Sequence, residues 1–464
     1  MLLDLNLQKA PHSPSSILAP TRAVKHFYVL LLLLIVFSFN FAHRDGWKDA
    51  QIPGDDPAYI ESAYNYWHSG KHPGPITWSP GYAQLMSPFV GIFGQETGYQ
   101  IWRFVLFASV SFMVYFAFSR MFGSTWLGAS LALFSQMFIM PYESPSLQLL
   151  ACLLYLICLR LLTDKTRYLG LTFGILMNGV FVSGTAGFVC ISFGFLCLIF
   201  YPRLIFSKRF FIQFLAGAAL FTVIMHHFHY DIMTVSEVSA QRGRAGLYHQ
   251  LSLYIISSGR STPYLKPGED DSKTGEFALH QQAVNRYYLD KFGEDESDAR
   301  AYRHDERWPL TLLDWPWMIT KDPELMKEYR HEVLKTLRDS LFGAERGFGA
   351  FEVAFPYGDY GFNTVPFHKR AVYNIVSVIF LIFVLILPYI VKLVRKKPLP
   401  SSGFTCPSRL QVLFCLSCLS ILFPLMLVKP LAIYFPPLIP SYLMGIALLT
   451  LFFIKKYFTV SRQP

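Results

Sequence analysis

Two adjacent carboxylates, Asp55 and Asp56, stand between Pro53-Gly54 and Pro57 and lead into a stretch holding Tyr59, Tyr64, Tyr66 and Trp67. Neighbouring carboxylates hold a proton more tightly or share a cation, and either state suits acid–base chemistry. Asp56 directly precedes a proline, so it also fits the cap of a helix over 57–68 with Pro57 at the first helical position. That leaves Asp55 without a capping role. Farther on, His226, His227 and His229 stand near Asp231. The spacing of His226 and His229 puts two imidazoles on one helical face, where a divalent metal would find a pair of ligands. Interfacial histidines without metal explain the same spacing, so no cofactor is required.

The elements that would hold these residues follow from hydropathy. The chain of 464 residues is 53% hydrophobic, 17% aromatic and 16% charged, and its apolar residues gather in blocks of about 16 to 23. Such blocks cross a hydrocarbon layer of roughly 30 Å when tilted or slightly mismatched. They fall at 27–42, 101–119, 125–141, 146–162, 168–184, 186–201, 210–228, 371–391, 410–428 and 433–454. The expectation is an all-α polytopic membrane protein of about ten transmembrane helices.

Orientation follows from the cations, because Lys and Arg flanking a span are retained in the cytoplasm. With both termini inside, Lys25, Arg120, Arg160, Lys165, Arg167, Arg203, Lys208, Arg209, Lys392, Arg395, Lys396, Lys397, Arg409, Lys455 and Lys456 all fall on the inner side. The short outer turns hold only Lys429. The net charge of +10 is thus mostly a topology signal. Nucleic-acid binding would need those cations on one soluble face, and they are not gathered there.

Residues 1–26 read as a disordered cytoplasmic tail, since no small-x-small cleavage site follows the first apolar block. Residues 27–228 form a first membrane module, 371–454 a set of C-terminal membrane helices, and 455–464 a second cytoplasmic tail. Two large outer segments remain, 43–100 and 229–370. In the second, Asp322-Pro323-Glu324 starts a helical pattern of Leu325, Tyr329, Val333, Leu334, Leu337 and Leu341 that runs to Gly343, an amphipathic helix suited to packing. The stretches 247–256 and 312–319 are apolar but too short to span, and read as interfacial. All seven cysteines lie in spans or on the inner side, which implies neither a disulfide framework nor a zinc site. The outer segments carry no Asn-x-Ser/Thr sequon, in keeping with a bacterial cytoplasmic membrane.

With the sides assigned, more polar residues face outward. Arg103 opens the second span near its outer end, where an ionisable group either reaches an anionic ligand or snorkels to the headgroups. Glu143, in the turn Pro141-Tyr142-Glu143-Ser144-Pro145, either faces an outer cavity or favours the dipole of the helix after it. Lys369 and Arg370 stand outside the eighth span against the charge rule, and suit a tethered anionic ligand or lipid headgroups equally.

The order of features is Asp55-Asp56 with Tyr59, then Trp78-Ser79-Pro80-Gly81-Tyr82, Arg103, the Glu143 turn, and a last span opening Tyr434-Phe435-Pro436-Pro437-Leu438-Ile439-Pro440. Over roughly the first 200 residues and the last span, this order resembles the GT-C superfamily of integral-membrane glycosyltransferases, in its branch of protein O-mannosyltransferases and lipid A aminoarabinose transferases. The resemblance implies Asp55 as catalytic base, supported by Asp56 and Tyr59, with Glu143 as a second acid of the same cavity. It places Tyr434 in a signature whose arginine position is Ile433 here, and leaves Lys429, about one turn earlier, as the nearby cation for a donor phosphate.

The function this implies is transfer of a sugar from a polyprenyl-phosphate donor to a lipid, glycan or protein acceptor at the outer face, with inversion. An outward site excludes nucleotide sugars, which are cytoplasmic, and no glycine-rich phosphate loop lies on the inner side. In that branch the soluble domain more often follows the last span, so a large loop at 229–370 leaves the acceptor class open. An O-antigen-type polymerase or ligase, or a transporter or flippase of lipid-linked glycans, also has many spans. Transporters place charges at mid-bilayer and show internal repeats; here charges gather at the ends and no repeat is visible.

Overall fold

The computed structural model describes residues 22–43, 56–69, 80–136, 146–162, 168–182, 185–227, 367–394, 405–421 and 436–454, with short pieces at 260, 262–264, 286–287, 290–291, 323–325, 327–328 and 330–331. Every regular element among them is helical, and no strand occurs in the described residues. The helices are α1 (Arg22–His43), α2 (Asp56–Ser69), α3 (Pro80–Phe93), α4 (Gln95–Phe122), α5 (Thr125–Phe134), α6 (Ser146–Leu161), α7 (Leu169–Val182), α8 (Thr185–Phe200), α9 (Pro202–Ile205), α10 (Lys208–His227), α11 (Phe367–Val394), α12 (Arg409–Cys418) and α13 (Ile439–Ile454).

Each apolar block read from the sequence contains a described helix, and several breaks between helices have local causes. Gly123 ends α4 in the left-handed region at φ 67°, and the Ser124 hydroxyl accepts from the Leu127 amide at 3.2 Å to cap α5. Ser408 and Gln411 cap α12 reciprocally, each side chain accepting from the other's backbone amide. A single residue, Gly94 at φ 82°, separates α3 from α4. That conformation is open to glycine at little cost, so the two helices fold back as a tight hairpin.

α4 is the hub, with α1, α2, α3, α5 and α6 packed around it. α1 runs antiparallel to it: His26 Nδ1 lies 2.5 Å from the Tyr115 hydroxyl, while Phe37 meets Phe104 and Phe107 at ring distances of 5.0 and 6.5 Å. α5 returns along α4, and Gly128 permits the approach, since a Cβ there would lie 2.7 Å from the Ser119 Cβ. Where α5 ends in a π turn, the Gln136 amide donates to the Leu33 carbonyl (3.1 Å) and the Ser111 hydroxyl (2.5 Å), tying α1, α4 and α5 together.

α7 and α10 form a second close pair. Gly170, Gly174 and Asn178 recur every four residues on α7 and so lie on one face. A Cβ at Gly174 would stand 2.5 Å from the Phe214 carbonyl oxygen, and Asn178 donates to the Gly217 carbonyl at 2.5 Å. Small residues and an interhelical amide bond are how helices associate when no water drives them together.

By length and composition, α4 meets the requirement for a membrane span; the other apolar stretches among the described residues run 10–17 residues. In the segment 229–370, the described helical residues between 323 and 331 bury Leu325 and expose Glu324, Lys327 and Glu328, as the amphipathic pattern requires. The interfacial stretches 247–256 and 312–319 lie outside the described residues.

Candidate functional site

α2 begins at Asp56 and continues to Ser69, matching the helix anticipated over 57–68. The side chain of Tyr59, one turn after Asp56, is buried, and its ring meets Tyr82 of α3 edge-on at 5.1 Å. Tyr82 lies 6.1 Å from Trp102 of α4, and Trp102 also packs on Phe89 at 5.2 Å. A series of aromatic contacts therefore links the first turn of α2 to the N-terminal part of α4. Glycines make the fit possible: a Cβ at Gly98 would clash with the Phe89 carbonyl oxygen at 2.3 Å, and one at Gly91 with the Trp67 ring.

Arg103 follows Trp102 and points inward. It is 3% exposed, which decides against snorkelling to headgroups. Its guanidinium carbon lies 5.7 Å from the Tyr99 ring and 5.8 Å from the Phe107 ring, within reach of cation–π attraction. Its Nε atom has no hydrogen-bond partner. An enclosed cation is costly unless an anion meets it, because little water remains to solvate it.

Other polar side chains share this condition. Gln84 of α3 leaves both amide atoms unpartnered, and Gln100 Oε1, Trp102 Nε1 and, at the start of α6, Gln148 Oε1 are likewise buried without a hydrogen bond. Each such group costs about 1–3 kcal/mol in a folded chain. None of the three glutamines is legible as a site residue in the sequence: an isolated glutamine in an apolar helix signals nothing until its burial is known. The tight spacing of Gln100 and Arg103 on one α4 face was the sole hint available.

Of the remaining residues anticipated from the sequence, Lys369 and Arg370 lie in the first turn of α11, and His226 in the last turn of α10. Asp55, Glu143, Lys429, Tyr434 and His229 lie outside the described residues. Tyr59 and Arg103 are both buried, Tyr59 against the Tyr82 ring and Arg103 beside the Tyr99 and Phe107 rings. Among the described residues, no group of three His, Cys, Asp or Glu side chains is arranged to hold a metal ion.

No protein-family profile, characterised protein or solved structure matches this chain. What the site can do is therefore judged from its own chemistry.

Three pieces of the segment 229–370 are tied by polar contacts. Arg260 Nη2 donates to Glu328 Oε2 at 2.5 Å, the Tyr264 hydroxyl donates to Asp290 Oδ2 at 2.5 Å, and Arg286 Nη1 donates to the Tyr264 carbonyl at 2.6 Å. Donation to Asp290 holds the proton on Tyr264 and pushes its pKa up to about 12.

Proposed function

We propose that the protein is a polytopic membrane glycosyltransferase that moves a sugar from a polyprenyl-phosphate donor to an acceptor at the outer face of the membrane. The observation that carries the proposal is the enclosure of Arg103, 3% exposed beside the Tyr99 and Phe107 rings. A phosphate is the anion this cation suits, and the Asp55-Asp56 pair of the sequence is the proposed source of the base. The order of sequence motifs that resembles the GT-C superfamily implies Asp55 as the base, with Lys429 as the nearby cation for the donor phosphate.

Membrane residence is supported by the apolar surface. Phe27, Leu31 and Ile35 on α1, Ile191, Phe195 and Leu198 on α8, and Val372, Ile375, Ile379 and Phe383 on α11 are all exposed, each set along one helix side. Contiguous apolar faces of this kind suit lipid. The proposed orientation is supported at the inner end, where Thr405 bonds to the Phe122 and Met121 carbonyls at 3.1 and 2.6 Å. Two turns assigned to the cytoplasm on charge, though far apart in sequence, thus meet.

In the proposed step, an acceptor hydroxyl oxygen attacks the anomeric carbon as the bond from that carbon to the donor phosphate oxygen breaks. Asp55 takes the hydroxyl proton, and the prenyl phosphate leaves with the bonding electron pair. Arg103 and Lys429 stabilise the charge on the departing phosphate. One displacement inverts the anomeric centre. Asp56 caps α2 and holds Asp55 at its start, with Glu143, Tyr434, Lys369 and Arg370 as further outer-face contacts to donor or acceptor.

The test follows donor consumption in membranes by mass spectrometry for wild type, Asp55→Asn and Asp56→Asn. The expected result is a loss of at least about a hundredfold for Asp55→Asn, the size of a general-base contribution, and a smaller loss for Asp56→Asn. Full turnover by Asp55→Asn would remove the base assignment.

A further inference from the structure

The reversal between α8 and α10 gathers positive charge that the surrounding helices do not balance. Arg203 lies in α9, Lys208 and Arg209 open α10, and all three are exposed. The turn is closely tied. The Phe206 amide donates to the Pro202 carbonyl at 3.2 Å, and Ser207 Oγ donates to the Leu204 carbonyl at 2.7 Å while accepting from the Phe210 amide at 3.2 Å. The three cations are thereby held in one bend of the chain. No Asp or Glu occurs between Asp164 and Asp231, so α7, α8, α9 and α10 carry none. Neither do α3, α6 and α12, which pack against α7 or α8. None of the three cations has an ion-pair partner among the described residues.

Retention of cations on the cytoplasmic side explains why basic residues stand in this turn. It does not explain Phe206 among them, at 79% the most exposed large apolar side chain of the described residues. A phenylalanine set out between cations suits a surface that dips into the headgroup layer. The apolar surface also runs on from the charge. Lys208, Ile212 and Leu215 recur at spacings of four and three, so they share one side of α10, and Ile212 and Leu215 are both exposed. The opposite side of α10 is taken by α7, where Gly217 approaches Gly174.

We propose that the α8–α10 turn is a binding site for an anionic phospholipid of the leaflet that holds it. The headgroup phosphate sits at Arg203, Lys208 and Arg209, Phe206 inserts beside it, and an acyl chain lies along Ile212 and Leu215. A phosphodiester supplies the negative charge that the turn lacks, and the guanidinium forks of Arg203 and Arg209 match its oxygens. The exposed apolar side continuous with Lys208 selects a lipid over a free anion. The site rests on the membrane residence proposed above and is independent of sugar transfer.

The experiment uses the full chain purified in detergent, with lipid adducts read by native mass spectrometry and stability by thermal melting without added lipid. The probes are phosphatidylglycerol, phosphatidylcholine with the same acyl chains, and glycerol 1-phosphate alone. Wild type is expected to hold phosphatidylglycerol at least about tenfold more tightly than phosphatidylcholine. The double variant Lys208→Gln/Arg209→Gln should lose that preference at about fivefold per cation, the size of one basic residue at an anionic surface, with melting unchanged because both side chains are exposed and unpaired. Phe206→Ser should weaken both lipids and leave their ratio as it was. Lys455→Gln/Lys456→Gln removes the same charge from the C-terminal tail and should keep the preference. Equal affinity of wild type for the two lipids would overturn the proposal. So would an equal loss in the two double variants, which reduces the effect to net charge, or displacement of the lipid by equimolar glycerol 1-phosphate, which makes the site one for a free anion. A chain that prefers phosphatidylglycerol yet transfers no sugar would count against the transferase reading and leave this site standing.

Discussion

Tyr264 shows how a single residue ties two described pieces of the segment 229–370 together. Its hydroxyl donates to Asp290, which raises its pKa to about 12, above the ordinary tyrosine value of about 10. Because the folded state holds this proton more tightly than the unfolded chain, the contribution is fully present below about pH 10 and is lost as pH climbs through about 12. Ultraviolet titration of tyrosinate should therefore reveal a late-ionising tyrosine in wild type that shifts down toward 10 in Asp290→Asn; an unchanged titration would exclude the contact. The pairing was not legible in the sequence, where the two residues are separated by a polar stretch with no period. Arg103 was only half legible: its type marked it as functional, but only burial between Tyr99 and Phe107 distinguished an inward cation from a snorkelling one.

Helices were far easier to read, because an apolar block bounded by Gly, Pro or cations has few alternatives. α4, α6, α8 and α13 fall where hydropathy puts them, and α2 starts at Asp56, one residue before Pro57. Partnering was not legible, since it depends on small residues whose spacing matters only once a neighbour is known. On α7, Gly170, Gly174 and Asn178 let α10 approach until backbones touch. Gly174→Leu drives a side chain into the Phe214 carbonyl and should cost about 1–3 kcal/mol, the usual range for overpacking. Asn178→Leu removes one interhelical bond, worth about 0.6 kcal/mol on average between membrane helices. Melting curves of the two variants in detergent should rank in that order; a Gly174→Leu protein as stable as wild type would mean that the α7–α10 contact is not made.

At the scale of the whole molecule, the account makes a claim about sides. Cys406 is exposed in the turn that Thr405 ties to the end of α4, whereas Cys152, Cys158, Cys197, Cys415 and Cys418 are buried. With that turn in the cytoplasm, a membrane-impermeant maleimide should leave Cys406 unlabelled in intact cells and label it in inside-out vesicles; labelling from outside would reverse the topology and put Asp55 on the wrong side. The central claim is that the lipid-linked sugar is cleaved from its carrier and not carried whole. Its most direct measurement supplies a labelled polyprenyl-phosphate sugar to the outer face of vesicles containing the wild-type chain and separates the products by mass spectrometry. Release of bare prenyl phosphate, with the label on an acceptor in inverted configuration and none of this in vesicles lacking the protein, is the predicted result. Movement of the intact lipid-linked sugar across the bilayer without cleavage would contradict it and make the protein a transporter.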